Sequence, residues 1–276
     1  MKLHNFIYRF KKFGRASGIF CRILAGILAA SMLLFALVGC KDEPAVTTPD
    51  NSDGDKPVGG TPKKQVAITF DDGPQHYEER TKKIVDELSK YGFTATFFVV
   101  GNRVAGGDAL AYAVEKGNEI GIHGYTHENY YDKCNDEVYE NEISKTLAAI
   151  RRQIPNYEVK LLRPIGGRIT PERAAASPYS VIMWSVDSDD WGNKYQSGDS
   201  DEVAAQKVDT IVNNVMTGLE HGDIILLHDI YESTYDATVL LLKRLYEEGY
   251  EVVSVSELLG DSLAPGKIYN SLYSVE

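Results

Sequence analysis

Residues 66–74 read Val66-Ala67-Ile68-Thr69-Phe70-Asp71-Asp72-Gly73-Pro74, an apolar run that ends on two adjacent carboxylates and a Gly-Pro pair. β-branched and aromatic side chains make the run a strand, and Gly-Pro closes it in a turn. Two acids at a strand end can divide their work: one can hold a divalent cation while the other acts as a base. Asp-Asp-Gly-Pro is also ordinary turn chemistry, so the choice between these readings rests on what lies downstream.

From residue 65 onward, short β-rich runs alternate with amphipathic stretches. The strands fall at 65–70, 95–100, 119–122, 159–162, 181–186, 223–227 and 251–254, and the helices at 79–91, 108–116, 136–154, 171–176, 201–219 and 234–248. The strands are mostly apolar, as when both faces of a parallel sheet are covered, and regular β-α alternation argues for an α/β fold rather than a sandwich. Gly92, Gly117 and Gly249 each stop a helix before the next strand. Seven strands fit a barrel or an open doubly wound sheet, and in either one ligands gather at the carboxyl ends of the strands. Asp71 and Asp72 follow the first strand, His123 the third with His127 four residues on, Arg163 the fourth, Asp187 to Trp191 the fifth, and His228 the sixth. All land at one end of the fold. His123 and His127 with one aspartate make a two-histidine, one-carboxylate set, which suits zinc and also accepts cobalt, nickel or manganese; three protein ligands leave room for water and substrate.

The front of the chain reads differently. Lys2, Arg9, Lys11, Lys12, Arg15 and Arg22 precede an apolar run from 23 to 38, and no acid occurs before Asp42. The run ends in Leu37-Val38-Gly39-Cys40, which resembles the lipobox of bacterial lipoproteins, so residues 1–39 are expected to be a signal peptide and Cys40 the lipidated residue; an uncleaved anchor and a plain secretory signal are the alternatives. Residues 40–62, rich in Pro, Gly, Asp and Thr, are expected to tether the domain at 63–259 to a bacterial membrane outside the cytoplasm. Of the three cysteines, Cys21 would leave with the signal and Cys40 would carry lipid, so Cys134 has no partner and no disulfide framework is expected. The 276 residues carry 29 basic and 40 acidic side chains, and losing the basic leader makes the remainder more acidic still. That charge argues against nucleic acid and tolerates neutral glycans. A monomer is expected, and residues 260–276 read as a loose C-terminal tail.

The ordered set resembles the polysaccharide deacetylases of carbohydrate esterase family 4, the NodB homology domain, over about residues 63–258. Thr69 to Pro74 keeps the first motif intact. The second, His-Ser/Thr-x-x-His, appears as His123 to His127 with Gly124 in place of the hydroxyl residue. The third appears as Arg163-Pro164-Ile165-Gly166-Gly167, where Ile165 and Gly166 replace the usual Pro and aromatic residue. The fourth is Asp187-Ser188-Asp189-Asp190-Trp191 and the fifth Leu226 to His228. The resemblance implies a distorted (β/α)7 barrel and metal-dependent removal of acetyl groups from an N-acetylated glycan. It implies Asp72, His123 and His127 as metal ligands, Asp71 as base, His228 as acid, Arg163 tethering and tuning the base, and Asp190 bracing Arg163. The Gly166 backbone N–H would stabilise the oxyanion, Trp191 would wall the groove, and Leu226 would receive the acetyl methyl. Peptidoglycan N-acetylglucosamine is the favoured substrate and chitooligosaccharide the second; an acetyl xylan esterase and a glycan-binding lipoprotein without turnover are the alternatives.

Two departures carry expectations of their own. Gly124 offers no side chain to brace the histidine loop, so the ligands must be held another way. Gly166 removes an aromatic ring, so a wider or differently shaped groove is expected, unless another side chain fills the space. His221, beside Gly222, is expected to meet a helix dipole, and His76 to be a loop residue.

Overall fold

The computed structural model describes residues 64–74, 78–104 and 106–275. The expectations for the signal segment, Cys40, the tether and His76 lie outside the described residues.

Ten strands form one sheet: β1 (Lys64–Asp71), β2 (Thr96–Val99), β3 (Glu119–Ile122), β4 (Leu161–Leu162), β5 (Ser180–Ile182), β6 (Val186–Asp187), β7 (Ile224–His228), β8 (Tyr250–Val253), β9 (Ile268–Ser271) and β10 (Ser274–Val275). Between them lie α1 (Glu78–Ser89), α2 (Ala109–Glu115), α3 (Asp136–Gln153), α4 (Pro171–Ala175), α5 (Asp201–Met216), α6 (Glu232–Glu247) and α7 (Val255–Leu259). Asn135, Thr170, Ser200 and Ser254 cap α3, α4, α5 and α7 by accepting a hydrogen bond from a backbone N–H of the first turn. Gly92, Gly117 and Gly249 take the left-handed backbone that ends α1, α2 and α6.

The strands hydrogen-bond in the order β10-β9-β5-β4-β3-β2-β1-β7-β6, with β8 also on β1. Every pairing is parallel except β9 with β10. β1 is the hub: it pairs with β8 through Lys64–Ala67, with β2 from Thr69 to Asp71 and with β7 from Ala67 to Asp71. The fold is thus the α/β barrel expected, curled and distorted, and the distortion has a local cause. Residues 181–186, read from sequence as one strand, are two. The Met183 N–H still donates to Tyr269 on β9, but the Ser185 N–H donates to Ile224 on β7, so the chain changes partner within two residues and draws the two edges of the sheet together. A bridge from Asp223 to Ser271 and the Leu272 N–H bonded to the Gly222 carbonyl complete the closure.

Residues 260–276 are consequently no loose tail. They contribute β9, parallel to β5, and Tyr269, which is buried. His221 also departs from expectation: α5 ends at Met216, and the His221 ring accepts from the Gln65 N–H instead of facing a helix end.

Strand side chains sort into two cores by the period-2 alternation of a pleated strand. Val66, Ile68, Phe70, Phe97, Val99, Ile120, Ile122, Leu162, Ile225 and Leu227 pack with the helices in one cluster. The alternate positions Ala67, Phe98, Leu161, Ile182, Ile224 and Val253 pack with Tyr269 and α7 in a second cluster, the barrel interior. Extending that inward parity toward the carboxyl ends of the strands gives Thr69 and Asp71 on β1, Leu226 and His228 on β7, and His123 and Arg163 just past β3 and β4. An uninterrupted apolar strand therefore hands its reactive residue to the interior by parity alone.

Candidate active site

Arg163 lies at the centre of the inward set and is fully buried. Its Nη1 donates to Asp71 Oδ1 at 2.9 Å and to the Thr69 hydroxyl at 2.6 Å, Nη2 donates to the Met183 carbonyl at 2.8 Å, and Nε donates to the Ile182 carbonyl at 3.1 Å. The guanidinium also stacks on Phe98, 4.3 Å from the ring centre. A buried ion pair is tolerable only when its remaining hydrogen-bonding capacity is met, and the carbonyls where the chain leaves β5 meet it. The result fixes Asp71 Oδ1 and leaves Oδ2 toward His123 Nε2, 3.5 Å away.

Asp72, His123 and His127 each offer one ligand atom within 4.8 Å of the others. His123 Nδ1–H donates to the Arg163 carbonyl at 2.9 Å, which fixes the tautomer and frees the Nε2 lone pair. Burial holds the His123 pKa below its ordinary value, so the ring stays neutral as a ligand requires. Asp72 Oδ1 is buried without a well-formed hydrogen bond, although His127 Nε2 stands 2.9 Å from it and the Arg103 guanidinium 3.5 Å. Burial pushes the Asp72 pKa up, but His127, His123 and His228 outweigh it and hold the carboxyl well below the usual range. An orphaned, ionised carboxylate oxygen beside two imidazole nitrogens is the donor set a divalent cation takes, so these residues fit the metal that the resemblance implies.

Asp71 and His228 are paired register positions on β1 and β7, and neighbouring strands lie about 4.8 Å apart. Asp190 was expected to brace Arg163. It serves His228 instead: its carboxylate accepts from His228 Nδ1 and from the His228 backbone N–H, both at 2.7 Å, and from the Thr234 hydroxyl at 2.6 Å. The reason is topological. β6 leaves β5 to pair with β7, so the residues that follow it arrive at the end of β7 rather than of β4. Burial alone would lower the His228 pKa, but the Asp190 hydrogen bond and the charges of Asp190, Asp71 and Asp72 push it up to about 9. The imidazole thus carries a proton at neutral pH.

Leu226 is buried on β7, Trp191 is exposed, and Gly166 sits in a short turn at φ 58°. Gly166 lines a surface cavity together with Gly167, Ile169, Met183 and Trp184, and the Tyr130 ring borders the same position. A Cβ at that position would lie 3.4 Å from the Tyr130 ring, and Arg168 stacks on the same ring with its guanidinium 4.4 Å from the centre. A tyrosine from the loop after the histidine motif therefore stands in contact with the place where a side chain at position 166 would begin.

Several residues at the site escaped the sequence reading. Arg103 donates to the Asp72 carbonyl at 3.0 Å; its position four residues past β2, at the reactive end of the barrel, was the available signal. Asp229 is buried against Gly73, where any Cβ would strike its carboxylate. Burial pushes the Asp229 pKa up to about 7 despite the hydrogen bond from Thr81. Glu142 on α3 is buried and accepts from the Tyr125 and Thr126 N–H groups at 2.6 and 2.9 Å, from the Thr126 hydroxyl at 2.8 Å and from the Asn129 amide at 3.1 Å. Burial raises its pKa, but these hydrogen bonds outweigh burial and hold it below its ordinary value. This is the other way in which the loop is held.

The family profile for polysaccharide deacetylases matches residues 58–178. The peptidoglycan-N-acetylglucosamine deacetylase PgdA of Listeria monocytogenes is 33% identical over 207 residues, which are 75% of this chain and 41% of the relative, so the chain spans about two fifths of that protein's length. A peptidoglycan-N-acetylglucosamine deacetylase of Bacillus cereus is 36% identical over 71% of this chain and 89% of its own length. Among solved structures, a family 4 acetyl xylan esterase of Clostridium thermocellum in complex with a cobalt ion superposes with a TM-score of 0.65 at 27% identity, covering 76% of this chain and all of that one. With the profile, a full-length relative and the barrel in agreement, the chain belongs to the polysaccharide deacetylase family.

Proposed function

We propose that the protein is a metal-dependent hydrolase that removes acetyl groups from an N-acetylated cell-surface glycan, peptidoglycan N-acetylglucosamine first and chitooligosaccharide second. One observation carries the reading: Asp71 and His228, a carboxylate and an imidazole suited to act as base and acid, stand at paired register positions beside the Asp72–His123–His127 cluster. A non-catalytic glycan-binding protein would need neither proton carrier. The names of the Listeria and Bacillus cereus relatives support the choice of glycan.

A divalent cation held by Asp72, His123 and His127, with zinc favoured and cobalt, nickel or manganese acceptable, would polarise the acetyl carbonyl and acidify water there. Asp71, held by Arg163 on one oxygen, accepts the proton of the attacking water through the other. The Gly166 N–H stabilises the negative charge that develops on the carbonyl oxygen. His228, kept protonated by Asp190, delivers its proton to the departing nitrogen, which would otherwise leave as a poor amide anion. Leu226 lines the space for the acetyl methyl, and Trp191 offers its exposed face to a sugar ring. The lipobox-like Leu37 to Cys40 supports attachment to the outer face of a bacterial membrane through lipid on Cys40, with the domain acting as a monomer on glycan above it.

Acetate release from N-acetylglucosamine oligomers and from peptidoglycan, with metal supplied, tests the reading against Asp71→Asn. Release by the wild type and its loss in the variant are expected. Release from acetylated xylan alone would favour the esterase, and release from no acetylated glycan would favour the binding protein.

A further inference from the structure

We propose that Glu142 is the positioning residue of the metal-binding loop, with its carboxylate taking the place of the hydroxyl side chain that Gly124 lacks. The inference rests on the metal-site reading above and extends it to a residue on a different element.

The loop from His123 to His127 cannot hold itself. Gly124 has φ 85°, a left-handed backbone that side chains rarely adopt, and a Cβ there would lie 2.9 Å from the Tyr131 hydroxyl, 3.1 Å from Ile165 and 3.2 Å from Glu142 Oε2. The backbone must pass this point bare because Glu142 and Tyr131 already occupy the room. His127 is left-handed as well, at φ 63°, an arrangement that persists in a non-glycine residue only where surrounding contacts over-determine it. Its side chain is about a third exposed, so packing around the ring does not set its direction.

The over-determination comes from two sides of the same peptide planes. On one side, the Gly101 and Asn102 N–H groups donate to the Gly124 and Tyr125 carbonyls, both at 2.9 Å. On the other, Glu142 collects the Tyr125 and Thr126 N–H groups on Oε2 and the Thr126 hydroxyl and Asn129 amide on Oε1. The two sides are themselves joined. α3 packs so tightly on the 101–103 turn that a Cβ at Gly101 would come within 2.7 Å of Thr146, whose hydroxyl donates to the Glu142 carbonyl. One carboxylate from a helix thus orients the peptides immediately before His127, and with them the direction in which its imidazole meets Asp72. Outer groups that orient metal ligands are worth about 10–100-fold in metal affinity.

The test uses the full chain stripped of metal, with zinc affinity measured by competition against a chromophoric chelator and ligand geometry by the visible spectrum of the cobalt form. Glu142→Gln keeps the shape of the side chain and replaces an acceptor with a donor facing N–H groups. It is expected to weaken zinc binding about 10–100-fold and to alter the cobalt spectrum. Glu137→Gln, on the exposed first turn of the same helix, removes the same charge and is expected to change neither. A folded Glu142→Gln variant with wild-type zinc affinity and cobalt spectrum overturns the proposal. Should Glu142→Gln not fold, Thr126→Val and Asn129→Ala each remove part of the same set: weaker zinc binding with an altered spectrum supports the proposal, and wild-type values in both overturn it. A wild-type chain that takes up no zinc sinks the metal reading itself, whereas equal affinity in wild type and variants sinks this inference alone.

Discussion

Asp71 and His228 stand on two neighbouring strands that hydrogen-bond to each other, whereas Asp72 and His127 stand in the loops past strand ends in left-handed backbone, at φ 80° and 63°. The half proposed to carry protons is set by register, which the whole sheet enforces. The half proposed to hold the metal is set by a few side chains, Glu142 and Arg103 among them, that reach in from other elements. The contrast teaches that damage to one half is separable from damage to the other: loss of a proton carrier should leave cation uptake intact, while loss of a loop support should show first in affinity.

The largest effect is expected where the contrast is sharpest. Asp71→Asn and His228→Asn should each lower turnover about 10²–10⁴-fold while zinc affinity, measured by the same chelator competition, stays within a few-fold; a parallel loss of affinity would break the division. Arg163→Ala comes next. It deprives the buried Asp71 of its cation and should cost about 3–5 kcal/mol in urea unfolding of the metal-free chain, a penalty that reads on the sheet rather than on the ligand loop. Gly124→Ala forces a side chain into left-handed backbone already lined by Tyr131 and Glu142, and about 1–3 kcal/mol of lost stability is expected in the same measurement.

Spread over more than two pH units, the effect smallest per step concerns pH. His228 is raised to about 9 in the folded metal-free chain from an ordinary value of 6.5. A raised folded pKa means the folded state holds the proton more tightly than the unfolded one, so the stabilisation is complete below about 6.5 and is lost as pH rises through about 9. Between those limits, unfolding free energy should fall by at most about 1.4 kcal/mol per pH unit from this group. Asp190→Asn, which removes the charge facing the imidazole, should flatten that slope. An unchanged slope would mean that Asp71 and Asp72 suffice to hold the proton.

Much of this arrangement could be read in the chain beforehand, and the rest could not, for identifiable reasons. Apolar runs marked β1, β3 and β7, helix-terminal glycines marked the ends of α1, α2 and α6, and the position of a reactive residue after each run placed it at the right end. What stayed hidden were pairings between elements. Val181 to Val186 is uniformly strand-like in composition, so nothing local marks the change of partner at 183–185. Ile268 to Ser271 is a short strand with an alternating half-buried pattern, easily taken for a tail. The error over Asp190 followed from the first of these: motif order fixes where a residue falls in sequence, but its partner depends on which strand β6 joins. Glu142 carried no mark at all, because an acid on an amphipathic helix looks like any solvated acid until the helix is docked.

The hub position of β1 has a consequence for how the molecule comes apart. A strand of eight residues bonded to three neighbours, its final six residues wholly buried, is the segment whose backbone amides should be last to exchange with deuterated solvent, at the free energy of global unfolding. The proposed base is therefore carried by the part of the chain least given to local opening, and partial denaturation should release the histidine loop well before it disturbs Asp71.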